Sequence, residues 1–152
     1  MPERGLVAKA TLMLYRERKP LDAKEESMNP ETLMYTEEHL WVEIKGSEAR
    51  FGITDHAQKE LEDIVFVDLP DEGRKVAKGD IVCTIESVKS TNDLSCPFSG
   101  EVKAVNAALQ DKPETVNRDP FGAGWLFVLR IDEPADTKGL LDHEAYQKLI
   151  AS

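Results

Sequence analysis

The sequence predicts a mostly β domain of the α+β class, in which short strands build a flattened barrel and two helices are added. Short apolar runs rich in β-branched and aromatic residues recur between turn signals, and the chain carries 9 Gly and 8 Pro. Two stretches have the capping residues and spacing of helices, and residues 107–115 predict a loop or a short helical turn. The predicted strands cover residues 40–44, 49–53, 64–69, 81–86, 91–96, 101–106 and 126–131.

Length and composition favour one folded domain behind an N-terminal extension. With 152 residues and 41% hydrophobic content, the chain is sized for a single core. Residues 1–31 mix basic and acidic side chains with Pro20 and Pro30, which predicts a loosely ordered extension or a short helix. Residues 32–152 are predicted to form the folded domain. We expect a cytoplasmic location because the extension is rich in acids; the alternative is a mitochondrial location, with the extension as a transit peptide.

The internal helix is predicted over residues 55–61. Thr54 is a suitable N-cap, and Asp55 in the first turn favours the helix dipole. The C-terminal helix is predicted to start at Asp136 or Asp142, since either side chain can cap it. The apolar residues at helical spacing in this second helix are Leu141, Ala145, Leu149 and Ile150.

The strands 81–86 and 91–96 predict a hairpin, and Lys89 stands in the short connection between them. A lysine at a hairpin tip is presented to solvent, where another enzyme can reach its amine. Taken alone, such a residue is more often an ordinary solvated lysine, because the chain has 19 Lys and Arg. The tip is therefore a candidate site whose meaning depends on the surrounding residues.

The charge and the motifs favour a carrier or binding module over an enzyme. A net charge of -10 disfavours nucleic acid and anionic membranes as partners, and suits a monomer that docks on other proteins by electrostatic steering. The sequence contains no Walker loop, dinucleotide fingerprint or Gly-x-Ser-x-Gly motif. Its acidic residues are dispersed, so no general acid/base pair stands out.

Cysteines and histidines predict no metal site. His39, His56 and His143 lack the spacing of zinc ligands. Cys83 and Cys96 are interpreted as two buried thiols in a reducing compartment, with a disulfide bridge as the alternative.

The sequence around Lys89 resembles the modification hairpin of lipoyl-carrier domains. Glu86-Ser87-Val88-Lys89, followed by Asp93 and the turn Pro97-Phe98-Ser99-Gly100, is most similar to the glycine cleavage H-protein family. Biotin carriers have a methionine on each side of the lysine, whereas Val88 and Ser90 flank it here, which favours lipoate. Further motifs at the family's spacing cover about residues 34–150. They are Tyr35-Thr36-Glu37-Glu38-His39 with Trp41, Gly52-Ile53-Thr54-Asp55-His56-Ala57-Gln58, Val65-Phe66-Val67-Asp68-Leu69-Pro70, Val116-Asn117, Asp119-Pro120-Phe121, Gly124-Trp125, Leu140-Leu141-Asp142 and Ala145-Tyr146.

The resemblance implies a lipoyl-type barrel-sandwich hybrid with lipoate in amide linkage to Lys89. It implies that Glu86, Ser87, Val88 and Asp93 help a lipoylating enzyme recognise the hairpin, and that Asp93 lies near the arm when the arm folds into a surface cleft. It also implies a non-catalytic role in glycine cleavage. The arm would take an aminomethyl group from a pyridoxal-phosphate glycine decarboxylase to a folate-dependent aminomethyltransferase, and pass electrons to dihydrolipoamide dehydrogenase.

Two positions depart from the family pattern. Most members have a glutamate where this chain has Leu40, so an expected contact to the aminomethyl amine is weakened. Most have a glycine where this chain has Glu62, at a left-handed cap position where a non-glycine residue costs about 1 kcal/mol. Two alternatives therefore stay open: an H-like lipoyl relay that donates lipoate to other dehydrogenase complexes, and an unmodified protein-interaction module.

Overall fold

The computed structural model describes residues 29–132, 137 and 139–151, and they form a mostly β domain with two antiparallel sheets, as predicted. In chain order the strands are β1 (Met34–Tyr35), β2 (Leu40–Lys45), β3 (Glu48–Ile53), β4 (Ile64–Asp68), β5 (Lys75–Val76), β6 (Ile81–Ser87), β7 (Thr91–Ser95), β8 (Gly100–Val105) and β9 (Phe127–Ile131). One sheet has the order β1-β2-β3-β9-β8-β5, and the other has the order β4-β6-β7.

All seven predicted strands are present, and they differ from the prediction only at their ends. The sequence did not reveal β1 and β5, which have two residues each and are too short to show an alternating pattern. They become strands by pairing with β2 and β8, at opposite edges of the six-stranded sheet.

The helices are α1 (Asp55–Leu61), α2 (Ala108–Asp111), α3 (Thr115–Arg118) and α4 (His143–Ala151), with a 3₁₀ turn at Pro30–Thr32. The prediction for α1 is confirmed, and the Thr54 hydroxyl oxygen accepts the Ala57 amide at 3.2 Å as an N-cap does. The helical turn expected in residues 107–115 is α2, whereas α3 was not predicted. Along the described ranges, no helix is long and apolar enough to span a membrane.

The C-terminal helix has the predicted cap but a different buried residue. Asp142 Oδ1 accepts a first-turn backbone amide at 2.8 Å, whereas Asp136 lies outside the described residues. The prediction that Leu141 belongs to this helix is wrong, because Leu141 precedes α4 and pairs with Tyr35. The buried residue of α4 is Tyr146, whereas Leu149 is exposed. The Tyr146 ring stacks on Tyr35 of β1 with centroids 4.5 Å apart, so its partner belongs to a strand that the sequence did not reveal.

The N-terminal extension remains a prediction for most of its length. Residues 1–28 lie outside the described part of the chain. The last residues of the predicted extension form the 3₁₀ turn, and the Tyr35 hydroxyl donates a hydrogen bond to the Pro30 carbonyl. This contact places the end of the predicted extension against the domain.

The main core draws buried side chains from both sheets. Phe51 of β3 stacks on Phe127 of β9 with ring centroids 4.7 Å apart. Val67 and Ile85, which pair across the three-stranded sheet, are fully buried in the same cluster. Burying apolar area from both sheets is what holds them together as one barrel-like body.

A second buried cluster packs α4 against β1 and β2. It contains Leu33, Tyr35, Trp41 and Tyr146. The Trp41 indole N–H donates to a backbone carbonyl, that of Pro120, at 2.8 Å, so this large side chain is buried with its polar group satisfied. We call these four residues the aromatic cluster.

Candidate functional site

The hairpin prediction is confirmed, with Lys89 at its tip. Strands β6 and β7 pair from Ile81↔Ser95 to Glu86↔Thr91, and Lys89 lies in the connection beyond the last pair. More than half of the Lys89 side-chain surface is exposed. The amine is therefore accessible to another macromolecule.

Ser87 organises the backbone of the tip. Its hydroxyl oxygen accepts the amide N–H groups of Lys89 and Ser90, each at 3.1 Å, and its own amide donates to the Ser90 carbonyl at 2.8 Å. The amide of Val88 donates to the Asp63 carbonyl at 2.9 Å, which ties the tip to the connection between α1 and β4. These hydrogen bonds fix the backbone while the Lys89 side chain stays exposed.

The Lys89 amine lies at the C-terminal end of α1. Lys89 Nζ donates to the Glu60 carbonyl at 3.3 Å and is 3.8 Å from the Glu62 carboxylate. The carbonyl end of a helix carries partial negative charge, so it attracts an ammonium group. Both partners of the ion pair are largely exposed, so the interaction is weak and leaves the amine free to react.

Glu62 occupies the left-handed position expected from its place after the helix. Its φ is 65° and its ψ is -145°, and its amide donates to the Gln58 carbonyl at 3.0 Å. This backbone region is close to one that is populated almost exclusively by glycine. Glu62 therefore carries backbone strain next to the Lys89 amine.

The two acids of the hairpin have different surroundings. Glu86 is exposed and lies opposite Thr91. Asp93 accepts a hydrogen bond from the Thr84 hydroxyl at 2.9 Å and lines a cleft next to the hairpin. The structure thus brings Asp93, but not Glu86, to the cleft.

The cleft has a volume of about 300 Å³ and lies between α1, β6, β7 and the connection before β2. Glu60 is one of its lining residues, and the Glu60 carbonyl accepts the hydrogen bond from the Lys89 amine. The cleft therefore begins beside the hairpin tip. Its apolar lining residues are Ile53, Ala57, Leu61, Ile85 and Leu94, and its polar ones are Glu38, His39, His56, Glu60, Asn92 and Asp93. The space suits an apolar chain with a cationic end, since it combines an apolar lining with three carboxylates and no Lys or Arg.

Leu40 does not line this cleft. Its side chain is completely buried in the main core. The carboxylate on this side of the cleft belongs to Glu38, which accepts hydrogen bonds from the Ser95 amide at 3.1 Å and the Ser95 hydroxyl at 3.3 Å. The cleft therefore keeps an acidic group near the position where the family's glutamate is missing.

A hydrogen-bonded chain behind the cleft was not predicted from the sequence. His39 Nδ1 is 2.9 Å from the Tyr146 hydroxyl, which is 2.6 Å from the Thr54 hydroxyl. The ring centroids of His39 and His56 are 5.0 Å apart. Burial lowers the pKa of His39, the neighbouring His56 lowers it further, and Glu60 opposes this. These partners come from three distant parts of the chain, so no local sequence signal reveals them.

The two cysteines are buried free thiols, as the first interpretation expected, whereas the reducing compartment stays a prediction. Cys83 pairs across the hairpin with Leu94, not with Cys96. Burial raises the pKa of the Cys83 thiol to about 12 and that of Cys96 to about 11. Separately, among the described residues, no group of three His, Cys, Asp or Glu side chains is placed to hold a metal ion.

Two packed sheets with an exposed lysine at a hairpin tip define a barrel-sandwich domain of the lipoyl-carrier type. Residues 33–152 match the family model described as glycine cleavage H-protein. The chain belongs to the glycine cleavage H-protein family.

Relatives and a solved structure agree with this assignment. The chain is 48% identical to a glycine cleavage system H protein of Thermotoga maritima over 117 residues, which is 77% of this chain and 94% of the relative. It is 46% identical to a glycine cleavage system H protein of Bacteroides fragilis over 121 residues, which is 80% of this chain and 96% of the relative. The crystal structure of a glycine cleavage system H protein from Mycobacterium marinum superposes with a TM-score of 0.73 at 35% identity, covering 82% of this chain and all of that one.

Proposed function

We propose that this protein is a non-catalytic lipoyl carrier of the glycine cleavage system and that Lys89 bears the lipoyl group. Family membership supports the carrier role. The observation that supports Lys89 is its position: an exposed amine at the tip of a hairpin whose backbone is held by Ser87 and Val88, next to an apolar cleft.

Attachment is an acylation of the Lys89 amine. The nitrogen attacks the acyl carbon of an activated donor, an amide bond forms, the donor's leaving group departs with its electron pair, and the amine loses a proton to solvent. Acylation removes the positive charge, so the contact with the Glu62 carboxylate loses its electrostatic attraction. The modified side chain is then released from the end of α1.

When bound, the lipoyl group supplies a cyclic disulfide that accepts a carbon fragment and two electrons. The chain's own contribution is to tether and to shield. The cleft offers Ile53, Leu61 and Ile85 as apolar contacts that exclude water, and the carboxylates of Glu38 and Asp93 as acceptors for a cationic amine. Both acids are present although the family's glutamate is replaced by Leu40.

The proposed partners are the other components of the system. They are a pyridoxal-phosphate glycine decarboxylase, a folate-dependent aminomethyltransferase, dihydrolipoamide dehydrogenase and a lipoylating enzyme. A net charge of -10 suits encounter with basic patches on these enzymes, and tethering raises the effective concentration of the reactive group.

The test is the intact mass of the protein after expression with lipoate and a competent ligase. We expect the wild type to gain one lipoyl group. Lys89→Arg should fold normally and stay unmodified. Lys59→Arg is the matched control, because Lys59 is an exposed lysine on α1 paired with Asp55 at 3.0 Å, and this variant should be modified fully. A wild-type mass equal to the bare polypeptide would contradict the carrier role, and a lipoylated Lys89→Arg variant would move the site.

One observation favours a second candidate, the lipoyl relay. The family's glutamate is replaced by Leu40, which is buried in the core. Lipoylated protein mixed with glycine and the decarboxylase separates the two functions. Exchange of carbon dioxide supports the glycine cleavage role, whereas its absence in a lipoylated sample favours the relay.

A further inference from the structure

Exposed apolar side chains lie next to the hairpin tip. Val65 and Phe66 are consecutive on β4, yet they are 53% and 43% exposed. In a regular strand, consecutive side chains point to opposite faces. The pairing with β6 shifts between Ile64 and Phe66, where β4 has one more residue than its partner, so Val65 is the extra residue of a β-bulge. The bulge turns two apolar side chains to solvent.

Val88 extends this surface to the reactive lysine. It is 64% exposed, and the hydrogen bond that its backbone amide donates to the Asp63 carbonyl holds it beside the start of β4. We call Val65, Phe66 and Val88 the β4 patch. Single exposed apolar residues need no explanation, but three on two segments joined by this hydrogen bond, one of them next to Lys89 in the chain, mark a candidate interaction surface.

The strands of the sheet that carries the patch hold acidic but no basic side chains, while exposed Lys112 and Arg118 lie in the segment along the outer edge of β4. Strands β4, β6 and β7 contain Asp68, Glu86 and Asp93 and no Lys or Arg. Exposed Glu62 and Asp63 add two further acids near the tip. A partner that meets this surface therefore needs an apolar recess with basic residues around it.

The patch offers side chains and not a free strand edge. Strand β4 is at the edge of its sheet, but the Ile64 amide donates to Asn117 Oδ1 at 2.9 Å. The Val67 carbonyl accepts from Gln110 Nε2 at 3.2 Å. Because these backbone groups are already hydrogen-bonded, addition of a partner strand is disfavoured.

We propose that the β4 patch is the docking surface for the enzyme that acylates Lys89, and that this enzyme meets it with an apolar recess rimmed by basic side chains. The inference rests on the proposed function. Acylation takes place on the lysine nitrogen itself, and Lys89 directly follows Val88 of the patch in the chain, so the acylating enzyme must approach this surface. Enzymes that act later on the arm are held farther from this surface by the arm.

The test measures acylation kinetics with a lipoate ligase, lipoate and ATP, with the carrier as the varied substrate. Phe66→Thr is compared with Ile81→Thr, because Ile81 is 46% exposed and lies at the other end of β6. Threonine is β-branched and suits a strand, so both variants should keep the fold, which circular dichroism checks.

For Phe66→Thr we expect the KM for the carrier to rise about tenfold at unchanged kcat, as for an aromatic anchor of an interface. For Ile81→Thr we expect the KM for the carrier to change by no more than about twofold, as for a residue outside the interface. Equal KM values for the two variants would overturn the inference.

A measurement on the wild type keeps the inference testable if a variant unfolds. On addition of ligase, we expect the amide NMR signals of Val65, Phe66 and Val88 to shift. Shifts confined to the cleft side, for example at Asn92, would overturn the docking surface. So would sedimentation showing a wild-type dimer that Phe66→Thr dissociates, because the occupant would then be a second copy.

The outcomes separate this inference from the proposed function. A wild type that accepts no lipoyl group argues against the proposed function. A wild type that is modified, with Phe66→Thr modified equally well, contradicts only the docking surface.

Discussion

The aromatic cluster and the Lys89 hairpin are fixed in opposite ways. In the aromatic cluster, Trp41 is fully buried, its indole N–H donates to a backbone carbonyl, and Tyr146 of α4 stacks on Tyr35. At the hairpin tip, Val88 and Lys89 are exposed, and hydrogen bonds made by Ser87 and the backbone hold the shape. One region is held by side-chain packing and the other by backbone hydrogen bonds.

The difference explains how a side chain can be both accurately placed and free to react. Packing would fix the Lys89 side chain but bury its amine, and burial disfavours the charged form of a lysine. Backbone hydrogen bonds fix the tip without covering it. Substitutions in the two regions should therefore have different consequences: a large loss of stability in the packed region and a small change at the hairpin tip.

The largest effect is expected from Gly52→Ala in the packed region. Gly52 is the cross-strand partner of Trp41, and a Cβ at this position would lie within 3.0 Å of the indole. The ring cannot move aside because it is buried and hydrogen-bonded. We expect the free energy of unfolding to fall by about 3 kcal/mol, at the upper end for overpacking, measured by urea denaturation.

Gly46→Ala is the matched control. Gly46 has a φ of 60°, but a Cβ there would have nothing within 4 Å. Only backbone strain remains, so the loss should be about 1 kcal/mol. An equal loss in both variants would show that packing around Trp41 is looser than described.

A smaller effect of opposite sign is expected from Glu62→Gly beside the tip. Glycine relieves the strain of the positive φ at the end of α1, which should stabilise the protein by about 1 kcal/mol. The lost ion pair with Lys89 is exposed and subtracts little. Denaturation midpoints with urea give the change.

Glu62→Ala separates the backbone from the charge. Alanine removes the carboxylate but keeps a Cβ, so it should lack the gain from strain relief. If Glu62→Ala and Glu62→Gly are equally stable, the positive φ carries no cost here. In a Lys89→Gln background, where the ion pair is already absent, the gain from Glu62→Gly should be slightly larger.

The smallest of the three effects is a dependence on pH at the junction of the two regions. The pKa of His39 is lowered below 6.5 in the folded protein. Just below pH 6.5, His39 is therefore protonated to a larger extent in the unfolded chain than in the folded one. The free energy of unfolding should therefore fall as the pH drops through 6.5 towards the lowered pKa, and should be unaffected by this group at higher pH.

His39→Asn tests whether His39 causes this slope of the free energy of unfolding against pH. Asparagine tolerates the φ of 72° at this position and can still hydrogen-bond the Tyr146 hydroxyl. The variant should lose part of the slope between pH 7 and pH 5, these being ordinary bounds for histidine titration. A slope identical to that of the wild type would assign it to another group.

Features that depend on neighbours along the chain could be predicted from residue order. Alternating apolar residues predicted the strands, Thr54 predicted the start of α1, and the short link between β6 and β7 placed Lys89 at an exposed tip. The expected positive φ at Glu62 came from the resemblance, because most members of the family have a glycine at this position after the helix. These features are local, so residue order alone specifies them.

The tertiary structure decided what depends on contacts between distant segments. Tyr146 reaches Thr54 and His39 across separations of 92 and 107 residues, and only the folded chain brings these three groups together. The short strands β1 and β5 exist because longer strands pair with them. The bulge that exposes Phe66 likewise arises from a register shift between β4 and β6. Such features depend on long-range pairing and packing, which residue order along a single segment does not specify.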